Sequence, residues 1–382
     1  MRGALLSYFG GKRCVVRGEE ENTNWHHLDD DVANRSYANF VPVGSGINLA
    51  LRDARRETGS GEVPVLRMGE LAPDALLAQA SVWHARWETG LAYGCARLAH
   101  YVANAYLKES SDRVLSCACD AFYYARHRFD ERLLEDVLLR DILPKVETAR
   151  AAATITVATV GLILTQLAGI CSEFGLPMHA AEIFEAADRK STGSGSPSAL
   201  REAALLRRRA MVSGTLGAPR GEVDAELRES VSLASGNPNA ELSVMTTRVW
   251  LLQRDENWFA IANLLEPFYE RHRRLDPGQK LRASTMTAWN LSELFYAYGT
   301  ALALLESPRS SRKAKEVMTN AQLQFEQSGA RAYEIVPGHR RMIEARLASA
   351  GTAPPHLSCA GRPMSRSLEA LVKRTFRAVT LV

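Results

Sequence analysis

The chain has 382 residues, 46% of them hydrophobic and 24% charged, an ordinary globular balance with ample material for a core. Its formal net charge of +4 is far from the concentrated basicity of a polyanion binder, so overall charge decides nothing about nucleic acid and leaves that to local clusters. Six cysteines, Cys14, Cys95, Cys117, Cys119, Cys171 and Cys359, form no paired framework, which excludes a disulfide-stapled secreted domain and matches cytosolic usage.

Residues 1–16 have an apolar run too short and too glycine-interrupted for a signal peptide, so a cytoplasmic protein is expected. Residues 1–70 carry Gly10, Gly11, Gly44, Gly46, Gly59 and Gly61, with Pro42 and Pro64, and no sustained helical period. They read as an irregular segment or a small separate unit. Two short apolar patches, 5–9 and 13–17, are candidate strands that would pair. One helix is predicted over 47–57. Its run from Leu49 to Arg56 is similar to the opening helix of bacterial helix-turn-helix regulators with repeat-type sensor domains, but Gly59, Gly61 and Pro64 occupy the place of a recognition helix.

From Pro73 the character changes. Ala80, Trp83, Trp87, Leu91, Cys95, Leu98 and Val102 keep a spacing of three or four, predicting one long helix, or two with a kink near 90–94. Helices follow over 112–127 and 131–143, the second stopped by Pro144, with Leu133, Leu134, Val137, Leu138 and Ile142 marking its buried face.

Residues 151–172 carry no charge, Gly175 and Pro177 break the chain, and a second helix follows. Leu164, Leu167, Ala168 and Cys171 fall on one side of the first helix, and Ala180, Phe184 and Ala187 on one side of the second. The pair is a helical hairpin whose two stripes must both face apolar surface. The uncharged run is as long as the roughly 20 residues that span a bilayer, so length alone permits a span. Thr154, Thr156, Thr159, Thr165, Gln166 and Ser172 nevertheless make it a marginal insertion signal. Small residues, among them Ala158, Gly161 and Gly169, form a stripe opposite Val160, Leu164, Leu167 and Cys171, as in a buried central helix of a soluble array; close-packing membrane helices use such stripes too.

A Gly/Ser-rich loop at 191–197 reads as a hinge between two halves. Helices over 199–212, 223–234, 241–252 and 258–273 then alternate with the breaks Gly236-Asn237-Pro238 and Asp276-Pro277-Gly278. Pairs recurring roughly every 35–40 residues without strands indicate a solenoid rather than a closed bundle. Helices over 316–327 and 340–350 complete it. Pro354, Pro355 and Pro363 mark a linker to a last helix, in which Leu368, Leu371, Val372, Phe376 and Val379 share one side and Arg366, Lys373, Arg374 and Arg377 lie elsewhere. This basic amphipathic helix reads as a cap on the exposed end of the array, a helix inserted in a partner's groove or a membrane-surface anchor, the cap being expected.

The spacing of Leu164, Leu167, Ala168 and Cys171, followed by Ala180, Phe184 and Ala187, resembles the tetratricopeptide repeat. A second copy, Tyr298, Ala301, Leu302 and Leu305 followed by Ala314, Met318 and Ala321, lies 134 positions further on. That is close to four of the family's periods of about 34 residues. The family's proline after the second helix is missing from both copies, and Cys171 and Leu305 stand where an aromatic is usual. The resemblance implies an all-α fold: a right-handed α-solenoid of antiparallel helix pairs over 71–350, preceded by the irregular segment 1–70 and followed by linker and amphipathic helix over 351–382. In that family the first helix of each repeat lines the concave groove. The groove positions implied are Thr165, Gly169, Ser172 and Glu173, and Tyr296, Ala303 and Glu306, with the glutamates favouring a basic or amine-bearing ligand; each reads equally well as plain helix surface.

Other chemistry is sparse. His26, His27, Asp29, Asp30 and Asp31 are metal-capable but at no familiar spacing, and are expected to be a polar surface turn. Cys117 and Cys119 diverge on a helix, predicting one buried thiol and one exposed. No phosphate loop, zinc helix motif or nucleophile elbow is present, so neither metal nor cofactor is expected. His84, His100, His127 and His179 read as partly buried or solvated helix residues, and Trp83, Trp87, Trp250, Trp258 and Trp289 as core anchors. The basic runs at 207–209, 271–274 and 339–341 complement helix C-termini. Aligned on one side they would make a nucleic-acid surface. The function expected is a non-enzymatic protein- or peptide-binding scaffold or sensor. The alternatives are a transcriptional or signalling regulator that contacts nucleic acid, and an enzyme whose site leaves no local motif.

Overall fold

A computed structural model describes residues 12–19, 21–28, 40–57, 69–85, 88–126, 131–152, 154–174, 176–191, 199–275, 285–305, 308–327 and 364–381. Among these the chain is mostly helical, with sequential helix pairs packed together and one small antiparallel hairpin. It divides into two compact units, 1–167 with 185–194 and 364–382, and 168–184 with 195–363.

In the first unit β1 (Thr23–His27) pairs with β2 (Phe40–Gly44), Thr23 opposite Gly44 and His27 opposite Phe40. Helix α1 (Ser45–Glu57) follows without a break, and Ser45 Oγ donates to the Asn22 carbonyl at 2.6 Å. The strands are therefore not those expected. Residues 13–17 form a turn, while 5–9 lie outside the described residues. Cys14, Val15 and Val16 are all buried, a run that cannot alternate in and out as a strand facing water must. The segment instead docks as a knot. Val15 N–H donates to the Pro42 carbonyl at 2.8 Å, the Trp83 indole N–H donates to the Val15 carbonyl at 2.6 Å, and Arg13 pairs with Glu88 at 2.6 Å. Gly18 turns the chain at φ +77°, and a Cβ there would lie 2.7 Å from the Trp83 ring. His26, expected in a surface turn, is buried on β1 with Nδ1 3.0 Å from Asn48 Oδ1; residues 29–31 lie outside the described residues.

Helices α2 (Pro73–Ala85), α3 (Thr89–Tyr101), α4 (Ser111–Arg126) and α5 (131–151) build the body of this unit. Every residue of α3 from Thr89 to His100 is buried. Its Gly90, Ala92, Gly94, Ala96 and Ala99 leave room for neighbours on all sides, and α2, α4 and β2 take it. A π turn (Val102–Tyr106) extends α3. A second (Leu138–Ile142) sits inside α5, between Glu131–Val137 and Leu143–Ala151. Pro144 therefore does not stop this helix. The wide turn just before it loosens the ladder where the missing N–H and the proline ring would otherwise break it. The paired-thiol expectation also fails: Cys117 and Cys119 are both buried, because α4 packs against α2 and α3 and also against α5.

The last helix, α14 (Arg366–Thr380), lies on α5. Ser365 caps it by accepting from the Leu368 N–H at 3.2 Å, while its own N–H donates to Glu131 at 2.9 Å and Arg374 pairs with Glu147 at 2.9 Å. Leu368, Leu371, Val372 and Val379 are buried. The expected end cap is thus a lateral brace on a helix more than 200 positions earlier, whose apolar side offers the complementary surface.

Helices α6 (Val157–Glu173) and α7 (Pro177–Ser191) each run from one unit into the other. Leu164, Leu167, Ala168, Cys171, Ala180, Phe184 and Ala187 are all buried, as the two stripes require. No described helix is long and apolar enough to cross a membrane. The 191–197 loop lies outside the described residues except for Ser191.

The rest of the second unit is α8 (Ala199–Thr215), α9 (Arg220–Leu233), α10 (Pro238–Arg254), α11 (Trp258–Arg273), α12 (Thr285–Leu304) and α13 (Pro308–Gln327). Asn237 and Asn257 cap α10 and α11, their side chains accepting from the Ala240 and Ala260 N–H groups, each at 3.1 Å. The core gathers Leu252, Ile261, Leu265, Tyr269, Phe295, Tyr298 and Val317 from α10 to α13. Helix 340–350 lies outside the described residues.

Candidate ligand cleft

The groove positions implied by the repeat resemblance are scattered in environment. Thr165 is half-buried and donates to the Gly161 carbonyl at 2.8 Å; Gly169 is buried and Ser172 half-buried. Tyr296 is buried in the core of the second unit, and Ala303, two turns on, is half-buried against the same core. The Glu173 side chain and Glu306 lie outside the described residues. The basic runs are largely engaged: Arg207 donates to Thr247 at 3.1 Å, Arg208 is buried, Arg209 pairs with Glu226 at 3.2 Å, and Arg273 reaches Glu270 at 3.1 Å. The 339–341 run lies outside the described residues.

Two polar constellations stand out. The first is closed. Arg97 of α3 pairs with Asp141 in the π turn of α5, and His100 places Nε2 3.4 Å from the other Asp141 oxygen and Nδ1 3.1 Å from the Val114 carbonyl. All three are nearly buried. An acceptor faces each ring nitrogen, so only imidazolium would donate at both. Burial first, and then the Arg97 guanidinium, hold His100 down to about 3, because a second buried cation costs more than one long hydrogen bond returns. The neutral ring then donates at the shorter contact, from Nδ1 to Val114. The Cys117 thiol is neutral too, pushed up to about 11 by burial. No cluster of three or more metal-ligating side chains occurs among the described residues.

The second constellation is an open cleft in the second unit, with a volume of about 80 Å³. Helix α8 ends at Thr215, Gly217 at φ +86° turns the chain, and Pro219 delivers it into α9 at Arg220. Gly214 lets α10 come close, since a Cβ there would lie 2.8 Å from Leu251 Cδ2. Val223, Leu227, Leu251 and Leu252 supply the apolar lining. Arg220, Asp224, Arg248, Arg254 and Asp255 supply the charge. Arg254 turns Nε and Nη2 to Asp255 Oδ1, at 3.4 and 3.2 Å. Arg248 Nε lies 3.7 Å from Asp224, beyond hydrogen-bond reach. Arg248 Nε and Arg254 Nη1 are shielded from water and make no hydrogen bond among the described residues. At the start of α9, Pro219 holds the N-cap position and offers no side-chain cap.

Sequence reasoning missed this cleft. Arg220 and Arg248 are 28 positions apart, and no run or spacing joins them. The one local signal was the turn chemistry of Gly217 and Pro219.

The chain matches no family model, no curated protein and no solved structure.

Proposed function

We propose that the chain is a non-enzymatic binding module, an α-solenoid similar to tetratricopeptide arrays, which takes a peptide or a partner protein. The observation that carries this reading is the cleft between the α8–α9 turn and the end of α10. Leucine and valine side chains line it beside a charged rim, the composition that recognises a side chain presented by a larger partner. Sequential helix pairs support the array, with small residues at their contacts. Gly299 of α12, for instance, leaves space that Met318 of α13 fills, and a Cβ there would fall 2.8 Å from Met318 Cγ.

Selection from a displayed random peptide library against the full chain tests it. A recurring motif should be enriched, and a photo-reactive group in that motif should crosslink to the start of α9 and the end of α10. Failure to enrich any motif, or crosslinks confined to other helices, would overturn it.

A further inference from the structure

We infer that the cleft receives an anionic group, the carboxylate of an acidic side chain or chain end in a peptide partner. This rests on the binding reading above and names its ligand chemistry. Three guanidiniums converge on the cleft against two carboxylates. Each guanidinium presents a planar fork of N–H donors and no acceptor. Asp255 occupies one edge of Arg254, and Asp224 makes an ion pair with Arg248 Nε at 3.7 Å, so the two carboxylates are matched by two of the three guanidiniums. Guanidiniums therefore exceed local carboxylates, and the excess lies at Arg220, which is exposed at the start of α9 and has no carboxylate partner among the described residues. A carboxylate is the partner that best matches guanidinium geometry.

The backbone points the same way, independently of the side chains. The first-turn amides of α9 carry the positive end of the helix dipole, and proline at the cap leaves them without the side-chain oxygen that Ser or Asp would supply. Around Gly221 a Cβ would meet nothing within 4 Å, so an incoming oxygen can reach this end of the helix and act as the missing cap. Size narrows the source. A volume of about 80 Å³ accommodates a side-chain head and is well below the ~300–1,000 Å³ of small-molecule and cofactor sites.

The test is fluorescence anisotropy of the full chain with three peptides of equal length. One carries Glu and Leu, and the others replace Glu by Gln or by Lys; inorganic phosphate is titrated separately. The Glu peptide should bind about tenfold or more tightly than the Gln peptide, and Arg248→Gln and Arg254→Gln should each remove most of that difference. Arg220 is exposed, so Arg220→Gln should weaken binding without disturbing the fold and keeps the test decisive if either other variant unfolds. Equal binding of the Glu and Gln peptides would overturn the carboxylate inference and leave the peptide-binding reading standing. Phosphate binding without any peptide binding would overturn the peptide source, and with it that reading, while locating an anion site. No binding of any probe would overturn both.

Discussion

Arg97 and Asp141 form an ion pair inside the first unit, each less than a tenth exposed, and each near a π turn, Arg97 shortly before the one that extends α3 and Asp141 within the one in α5. A π turn inserts one residue into the helical ladder and rotates the helix beyond it. Asp141 follows Leu134, Val137 and Leu138 by seven, four and three positions, on the apolar side of α5, and is among the buried residues of that turn. Asp141→Asn should cost on the order of 3–5 kcal/mol, the loss when one member of a buried pair leaves the other uncompensated. Urea melts measure it. The double variant Arg97→Met with Asp141→Leu should recover most of the loss, and a double variant no better than the single one would contradict a purely electrostatic account.

Acid should weaken the first unit through His84. Burial, and then the Arg126 guanidinium, hold this imidazole down to about 4, against an ordinary value of 6.5. The unfolded chain binds the proton more readily, so protonation favours unfolding. The stability contributed by the neutral ring is complete above about pH 6.5 and drains away as pH falls towards 4. His100, lowered for the same reasons, adds to the slope with the same sign. The thermal midpoint of His84→Gln should therefore fall less steeply between pH 7 and 4 than that of the unchanged chain, and parallel curves would refute the assignment.

Phe184 is 4% exposed on α7. Truncation to alanine should cost roughly 3–5 kcal/mol, the usual penalty for a core aromatic. A thermal midpoint unmoved by Phe184→Ala would mean that this helix contributes nothing to the cooperative core.

Removal of residues 364–382 uncovers the apolar side of α5 and breaks the contacts of Ser365 with Glu131 and of Arg374 with Glu147. The truncated chain should melt earlier and aggregate more readily. Leu368 is fully buried, so Leu368→Ala alone should cost about 2–5 kcal/mol. An unchanged melting curve for both variants would show that the brace is dispensable.

At Gly299 the expectation is steric. A leucine there must displace Met318, whose Sδ already occupies the space, so Gly299→Leu should lower the midpoint of the second unit. Combining it with Met318→Ala should restore part of that loss, which differential scanning calorimetry of the two variants would register.

Helix class and most helix positions were legible in the sequence, because both signals are local. The 3.6-residue period of apolar residues set the faces, and Pro73 set the start of α2; α10 and α13 open earlier than expected, at Pro238 and Pro308, whose place is in a first helical turn rather than before it. The division into α6 and α7 was legible for the same reason, its breaker lying between two periodic runs. The expected second pair packs together as α12 and α13, although the small residue that admits Met318 is Gly299 rather than Ala301.

Only the tertiary structure decided where these helices lie against one another and which polar groups they enclose. Cys119 is buried because α4 has neighbours on more than one side, and the tail lands on α5 because both carry unpaired apolar stripes, which record that a partner is needed but not which. Pro144 lies within α5 because a π turn precedes it, and Arg220, Arg248 and Arg254 converge because the α8–α9 turn meets the end of α10. Periodicity in a sequence fixes the direction in which a side chain points along its own helix. What it points at is set by packing between segments far apart in the chain, and that pairing has no local signature.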